Sequence, residues 1–435
     1  MAEYKAEEIL TIEVGSEYVT KSEPVKVKSE LRQKLFKVKK IIIGKGIAGI
    51  EERAFAYCEG LCEVVIPEEV TEIGERAFDG CTSLTSVTIP GSVTKIADHA
   101  FYGCTNLTEV IIPKGVTEIG SYVFHGCTRL TEVTIPSSVT KIGMDAFHGC
   151  TGLTEVTIPA SVTEIDRGAF LDCMGLTNVV ISEGVTKIGE KAFMGCTGLT
   201  EVTIPASVTE IKRSAFYGCT GLTTVTIPES VTEIGENGEN IFAGCTGLKS
   251  PVLVGTRLIF FPNAVGNCRI PEGVTEIGNS VFNGCAGLTE VVIPASVTAI
   301  GKYAFYGCTG LTTVTIPESV TKIDNYAFEG CTGLSDIVLP DGVTKIGKQA
   351  FRDCTGLTDI VLPEGVTEIG EKAFMGCTGL TSVSIPSSVS VIDEGIFVRC
   401  NALKKVTVLN KKSNIKISRK AFDSKPEIIY AGGTK

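Results

Sequence analysis

Tryptophan is absent from the 435-residue chain, and histidine occurs only three times, as His99, His125 and His148. Histidine is the commonest general base and metal ligand near neutral pH, so its scarcity limits the chemistry available. Any binding interface must also be built without tryptophan, a favoured anchor. No uninterrupted apolar run approaches the roughly 18 residues of a membrane-spanning helix. The opening MAEYKAEEILTIEV lacks the basic region and apolar stretch of a secretory leader. A leader removed upstream would leave the same start, so location stays open. There is no C-x-x-C, G-x-S-x-G, Walker loop or H-E-x-x-H, which argues against zinc ribbons, redox motifs and the common hydrolase and nucleotide sites.

The charge is 40 Lys+Arg against 50 Asp+Glu, and its distribution is uneven. Residues 1–45 carry 10 basic and 7 acidic groups, a net of +3, and residues 401–435 carry 9 and 2, a net of +7. The middle therefore holds 21 basic and 41 acidic groups, a net of −20. An acidic body repels phosphate backbones, so no nucleic-acid partner is expected. The basic ends read most simply as solubilising caps.

What is abundant is repetition. Cysteines recur every 23 residues from Cys58 to Cys219, step once to Cys245, and resume the period from Cys285 to Cys400. Phenylalanine keeps the same beat three residues earlier, from Phe55 to Phe397, with an echo at Phe422. The unit reads L-T-x-V-x-I-P-x-x-V-T-x-I-G-x-x-A-F-x-G-C-T-x. In L-T-E-V-T-I-P, apolar residues alternate with polar ones, which predicts a strand ended by proline. V-T-x-I-G predicts a second short strand, and x-x-A-F-x-G-C-T is too short for a stable helix and fits a helical or 3-10 turn. About eight positions per unit are apolar, and one unit alone cannot bury them. Stacking equivalent residues rung on rung can, which predicts one continuous solenoid rather than separate globules.

These L-x-x-V-x-I-P, V-T-x-I-G and A-F-x-G-C elements resemble leucine-rich repeats of the BspA type, also called the Treponema pallidum type, over roughly residues 38–422. The resemblance implies a repeat solenoid: a right-handed coil with a parallel concave β-sheet and short strands or 3-10 turns on the convex side. It further implies surface proteins of host-associated bacteria or parasitic protists that adhere to host proteins or other cells. The expected organisation is an N-terminal cap over 1–37, a repeat array over 38–400 and a C-terminal cap over 401–435. Within the N-terminal cap, ILTIEV reads as a strand and Ser29 to Phe36 as a short helix. In the C-terminal cap, Glu427 to Tyr430 reads as a closing strand.

Two defects interrupt the array, giving an irregular segment at 235–271. Gly235 to Ile241 lengthens one turn by three residues. Ser250 to Pro271 reads as strand, glycine turn and strand, with re-entry to the repeat at Ile270-Pro271. Cys268 falls in the place of a strand valine. A tolerated bulge is the plain reading of this segment; a functional loop is the other.

Seventeen cysteines would suit an oxidised, stapled protein. Fifteen of them, however, lie one rung apart with side chains pointing the same way, too far apart at Cβ for disulfides. They read as buried thiols acting as small hydrophobes. Cys62 is extra and expected at the surface, and reads best as a drifted repeat residue.

The outward strand positions form two columns, one rich in Glu and Asp and the other in Thr and Val. The candidate concave binding face is Glu109, Glu132, Glu155 and Glu201 with Thr134 and Thr157. The alternative is that threonine simply suits strands and stacked carboxylates give solubility. No D-x-D-x-D-G loop accompanies these acids, so specific calcium binding is not expected. A flank column follows each ladder phenylalanine, with Tyr102, His125, His148, Met194 and Tyr217 as candidates. It is either an exposed partner patch or a half-buried cover over the phenylalanines. No cofactor, metal or catalytic group is expected. The leading expectation is a non-enzymatic adhesion or protein-binding module at the cell surface or secreted, with a host or cell-surface protein as ligand. An intracellular, cytoplasmic scaffold is the alternative, and an enzyme built on Arg257, Phe260 and Phe261 is the remote third.

Overall fold

The computed structural model describes residues 5, 8–20, 26–28, 35, 37–235, 240–262 and 264–431. The short helix expected over Ser29 to Phe36 falls, except for Leu35, outside them, as do residues 236–239 of the lengthened turn. The chain divides into two compact units, Met1–Glu236 with Ile241–Lys249, and Asn237–Asn240 with Ser250–Lys435.

Each 23-residue unit makes one rung with two strands and a turn segment. In the first unit, first strands from Ile9–Ile12 to Glu132–Thr134 form a six-stranded parallel sheet. Glu155–Ile158 pairs with Asn178–Ile181, and Glu201–Thr203 with Thr224–Thr226. The second strands, Lys26–Val27 to Glu233–Ile234, form one ten-stranded parallel sheet. Register follows the period, as where Glu109, Val110 and Ile111 face Glu132, Val133 and Thr134. A fixed repeat length forces this, because any slip would turn the apolar set to solvent.

The eight apolar positions all point inward. In the rung from Leu130 to Cys150, Leu130, Val133, Ile135, Val139, Ile142, Ala146, Phe147 and Cys150 are buried, with exposure of 8% or less. The phenylalanines stack in a column, with Phe147 5.4 Å from Phe124 and 5.2 Å from Phe170 between ring centroids. Repeated threonines and serines have a second reason to recur. Thr131 donates its hydroxyl to the Thr108 carbonyl at 3.1 Å, and Ser138 to the Val116 carbonyl at 2.7 Å, each one rung back.

The segment around A-F-x-G-C is a turn in which alternate amides bond within and between rungs. Tyr122, Phe124 and Gly126 donate to Met144, Ala146 and His148 of the next rung, while His125 and Cys127 bond back to Tyr122 and Phe124. This alternation needs left-handed backbone twice per rung, as at Tyr122 (φ 59°) and Gly126 (φ 72°). Where the second position lacks glycine, Asp172, Asp353 and Arg399 still adopt positive φ, at 54°, 57° and 65°. The conformation is obligatory although glycine is not, and aspartate tolerates it better than most residues.

The second unit opens on an antiparallel hairpin, Val252–Val254 with Arg257–Phe260. Arg257 and Leu258 then pair in parallel with Glu276 and Ile277, so this strand fills the second-strand place of a rung. Phe261 enters the phenylalanine column, 5.3 Å from Phe282. Gly266–Arg269 fills the next first-strand place, with Cys268 opposite Val291. The repeat therefore resumes at Arg257, earlier than Ile270-Pro271, as a rung with a degenerate sequence. Parallel strands continue from there to Glu427–Tyr430, where Phe422 bridges to Phe397.

Candidate interaction surfaces

The first-strand face carries the acidic column. Glu109, Glu132, Glu155 and Glu201 are exposed, as are Thr134 and Thr157. Glu109 and Glu132 sit opposite each other in register. Glu155 belongs to the next, two-stranded sheet and faces Asn178, and Glu201 faces Thr224. Thr134 stands beside Ile111, which is 70% exposed, and Thr157 beside Val180. In the second unit the same column pair presents Asp336 and Asp359 with Val338 and Val361, the valines 71% and 69% exposed.

The second-strand face is electrostatically different. In the first unit Glu and Lys alternate from Glu72 to Glu210 and pair along the column. Glu72 accepts from Lys26 at 3.1 Å and Lys95 at 2.8 Å. Glu118 meets Lys141 at 3.2 Å, Glu164 meets Lys187 at 3.0 Å, and in the second unit Lys345 meets Glu368 at 2.8 Å. The hydrogen bond from Lys95 lowers the Glu72 pKa, against the opposing pull of burial. No ion pair or hydrogen bond engages the side chains of Glu109, Glu132, Glu155 or Glu201 among the described residues. Glu72, Glu118 and Glu164 are thus neutralised and these four first-strand acids are not, although Glu63 of the same first-strand column meets Lys40 at 2.6 Å and Asp359 accepts from Ser382 at 2.6 Å. The sequence carries this pairing as alternating K-I and E-I dipeptides.

The flank column brings Tyr102, His125 and His148 together. Tyr102 and His125 stack at 4.6 Å, and His125 meets His148 edge-on at 4.3 Å. Met194 lies further along the column, half-buried, and Tyr217 further still, exposed. A parallel column three residues earlier completes a grid that sequence reading missed. His99 stacks on Tyr122 at 4.7 Å, and Asp145 occupies the next rung. Applying the 23-residue period to the position before the ladder alanine would have found it. His148 Nδ1 lies 3.5 Å from Asp145, and its Nε2 lies 3.7 Å from Asp172.

Nδ1 of both His99 and His125 is buried without a hydrogen-bond partner. Burial lowers both pKa values, helped by Arg76 beside His99 and His148 beside His125. Asp79 closes one end of the flank column, nearly fully buried, and accepts from Tyr57 Oη at 3.2 Å. Burial raises its pKa. Tyr102 with His125 and His99 with Tyr122 stack face to face along the coil, so these pairs turn their edges outward. Among the described residues, no group of three or more His, Cys, Asp or Glu side chains is arranged to hold a metal ion. Phe261 serves the phenylalanine column and Arg257 the strand ladder, which gives both a structural use. No helix among the described residues is long and apolar enough to cross a membrane.

No curated protein matches the sequence. Among solved structures, the chain is similar to a leucine-rich repeat protein from Bacteroides ovatus, with 27% identity, 99% of this chain and 93% of that one covered, and a TM-score of 0.51. A leucine rich cell surface protein from Faecalibacterium prausnitzii is 28% identical over 94% of this chain and 93% of its own, with a TM-score of 0.42. A leucine-rich repeat protein of T. pallidum is 27% identical over 46% of this chain and 91% of its own, with a TM-score of 0.39. The family model for the BspA type leucine rich repeat region matches residues 26–147, 117–249, 259–354 and 331–430. With nearly the whole length matched, and strand, phenylalanine and cysteine columns in the expected register, the chain belongs to the BspA-type leucine-rich repeat family.

Proposed function

We propose that this chain is a non-enzymatic protein-interaction module that takes a protein ligand on its first-strand face. Glu109, Glu132, Glu155 and Glu201 supply charge, and Thr134 and Thr157 supply hydroxyls between them. The flank residues Tyr102, His125, His148, Met194 and Tyr217 act as an accessory edge. The observation that carries this reading is the run of four uncompensated acids, Glu109, Glu132, Glu155 and Glu201, in a chain whose second-strand acids Glu72, Glu118 and Glu164 are paired with lysines. Like charges placed opposite each other on a sheet cost stability, so a chain able to pair its acids retains these for another use.

The finer reading is an adhesin-like role at the cell surface or in the secreted fraction, with a host or cell-surface protein as ligand. Membership of the BspA-type family supports it. The lack of disulfides among seventeen cysteines supports the alternative, a scaffold in a reducing compartment. The deciding experiment is capture of extracellular-matrix proteins by the wild-type chain and by a variant with Glu109, Glu132 and Glu155 changed to Lys. Capture lost in the variant supports the face; equal capture removes it. Antibody labelling of intact cells separates surface display from an internal scaffold.

A further inference from the structure

All three histidines of the chain stand on adjacent rungs of the first unit's flank. His125 meets His148 of the next rung edge-on at 4.3 Å between ring centroids, and Tyr102 of the preceding rung stacks on it at 4.6 Å. His99 stacks on Tyr122 at 4.7 Å. These rings belong to the turns whose amides tie rung to rung. Phe124 donates to Ala146 at 2.8 Å and Gly126 to His148 at 2.7 Å. The backbone at His99, Tyr122 and Asp145 is left-handed, at φ 58°, 59° and 51°, a conformation that residues with side chains hold only when their surroundings impose it.

Carboxylates are shared unequally among the imidazoles. His148 has one at each ring nitrogen, Asp145 at 3.5 Å from Nδ1 and Asp172 at 3.7 Å from Nε2. His125 has its Nδ1 buried without a partner. It faces His148 and Asp145 of the next rung and His99 of the preceding one, and Asp145 already faces His148. His99 faces Arg76, Glu75 and Asp79 of the preceding rung and Asp98 beside it, while Arg167 acts on Tyr122. A proton on His148 is therefore met by two negative charges. A second proton, on His125, lands beside a cation in a half-buried place and must share Asp145 with it. Like charges this close repel strongly where water is largely excluded.

The second unit carries the same turns without histidine. Tyr303, Tyr326 and Gln349 take the places of His99, Tyr122 and Asp145, and Tyr306, Glu329 and Arg352 those of Tyr102, His125 and His148. Tyr303 stacks on Tyr326 at 4.7 Å, and Arg352 Nη1 lies 3.2 Å from Glu329. The rung-to-rung amides recur, from Phe328 to Ala350 and from Gly330 to Arg352, each at 2.8 Å. The fold thus closes this contact with an opposite-charge pair where the first unit uses two imidazoles.

We propose that the flank histidines are an acid-operated latch: when His125 and His148 are both protonated, repulsion parts the two rings and frees the turns at 122–127 and 145–150, while the strand ladders stay paired. Opening uncovers the faces of Tyr102 and Tyr122, so acidity sets the form of this edge. The device needs no ligand and does not depend on the acidic first-strand face.

The test is hydrogen exchange of the full chain, corrected for intrinsic rate, at about pH 7.5 and about pH 5.5, on either side of the ordinary histidine value. Protection at the Phe124 and Gly126 amides is expected to fall by about tenfold or more in acid. The matched amides of Phe328 and Gly330 are expected to hold, as are those of Thr140 and Gly143, which bond to Thr117 and Ile119 beside the second strand. Changing His125 and His148 to Gln is expected to abolish the fall. His125→Glu with His148→Arg, which copies the Glu329 and Arg352 pair, is expected to abolish it too, and serves if the glutamine variant does not fold. Equal protection at the two pH values, a fall that survives in either folded variant, or an equal fall at Phe328 and Gly330 would each overturn the proposal. So would a fall shared by Thr140 and Gly143, which would mean that the whole rung unfolds.

Discussion

The Cys81 thiol donates to the Phe55 carbonyl oxygen at 3.1 Å, reaching back 26 residues to the preceding rung. Cys104, Cys127, Cys150 and their successors repeat the contact with Phe78, Phe101, Phe124 and onward. The cysteine column is thus more than apolar filling. From Cys81 to Cys245 and from Cys308 to Cys400, each ladder thiol satisfies a buried carbonyl while fitting the space between rungs.

None of the seventeen cysteines is in a disulfide, and burial pushes the Cys127 thiol up to about 12. Cys62, expected at the surface, is half-buried like Cys285, and burial pushes the Cys285 thiol up to about 12, so a thiol reagent near neutral pH is expected to label Cys62 first and Cys285 more slowly, sparing the other ladder thiols. In denaturant all should react. Mass spectrometry that found paired cysteines without added oxidant would contradict the stacked column.

The phenylalanine column predicts a graded response to truncation. Phe147→Ala removes a fully buried ring and should cost about 3–5 kcal/mol in urea unfolding. Phe422→Ala, at a partly buried end position, should cost clearly less. Equal losses would mean that the column does not carry stability by burial.

The histidine grid predicts an acid-sensitive stability. His99 and His125 have pKa values held below 6.5 in the folded state. The unfolded chain then binds protons first, so their contribution is present above that value, is lost as pH falls below it, and levels off beneath the folded values. Asp79 has the opposite sign. Its folded pKa is raised, so its contribution is complete below the unfolded value of 3.8 and is lost as pH rises through the folded one. Replacing both histidines with glutamine should flatten the slope below 6.5, and Asp79→Asn should stabilise the neutral protein. Thermal melts across pH check both.

The two charged columns should respond in opposite directions. Glu72→Gln removes partners from Lys26 and Lys95 and should lower stability by up to about 1 kcal/mol, less at high salt. Glu132→Lys relieves repulsion with Glu109 and should be neutral or stabilising by a similar amount. A clear loss of stability from Glu132→Lys would show that the acid serves the fold itself.

Much of this was legible from spacing. The strand, the ending proline, the second strand and the turn fall where the unit placed them, because a constant period lets each side chain pack on its own equivalent. The segment after Ser250 was only partly legible. Thr256-Arg257-Leu258 stands in for Thr275-Glu276-Ile277 and Phe261 for a ladder phenylalanine, but altered spacing hid the rung. The flank residues were found as one column, whereas the structure places His99 and Tyr122 beside Tyr102 and His125.

The sequence alone determined the period, the inward set and the parallel register, since a one-residue slip would expose every valine and isoleucine. Tertiary structure decided what happens between columns: which acids meet lysines and which imidazole nitrogens are buried without a partner. Those outcomes depend on side-chain reach across rungs, which a pattern along one dimension does not hold.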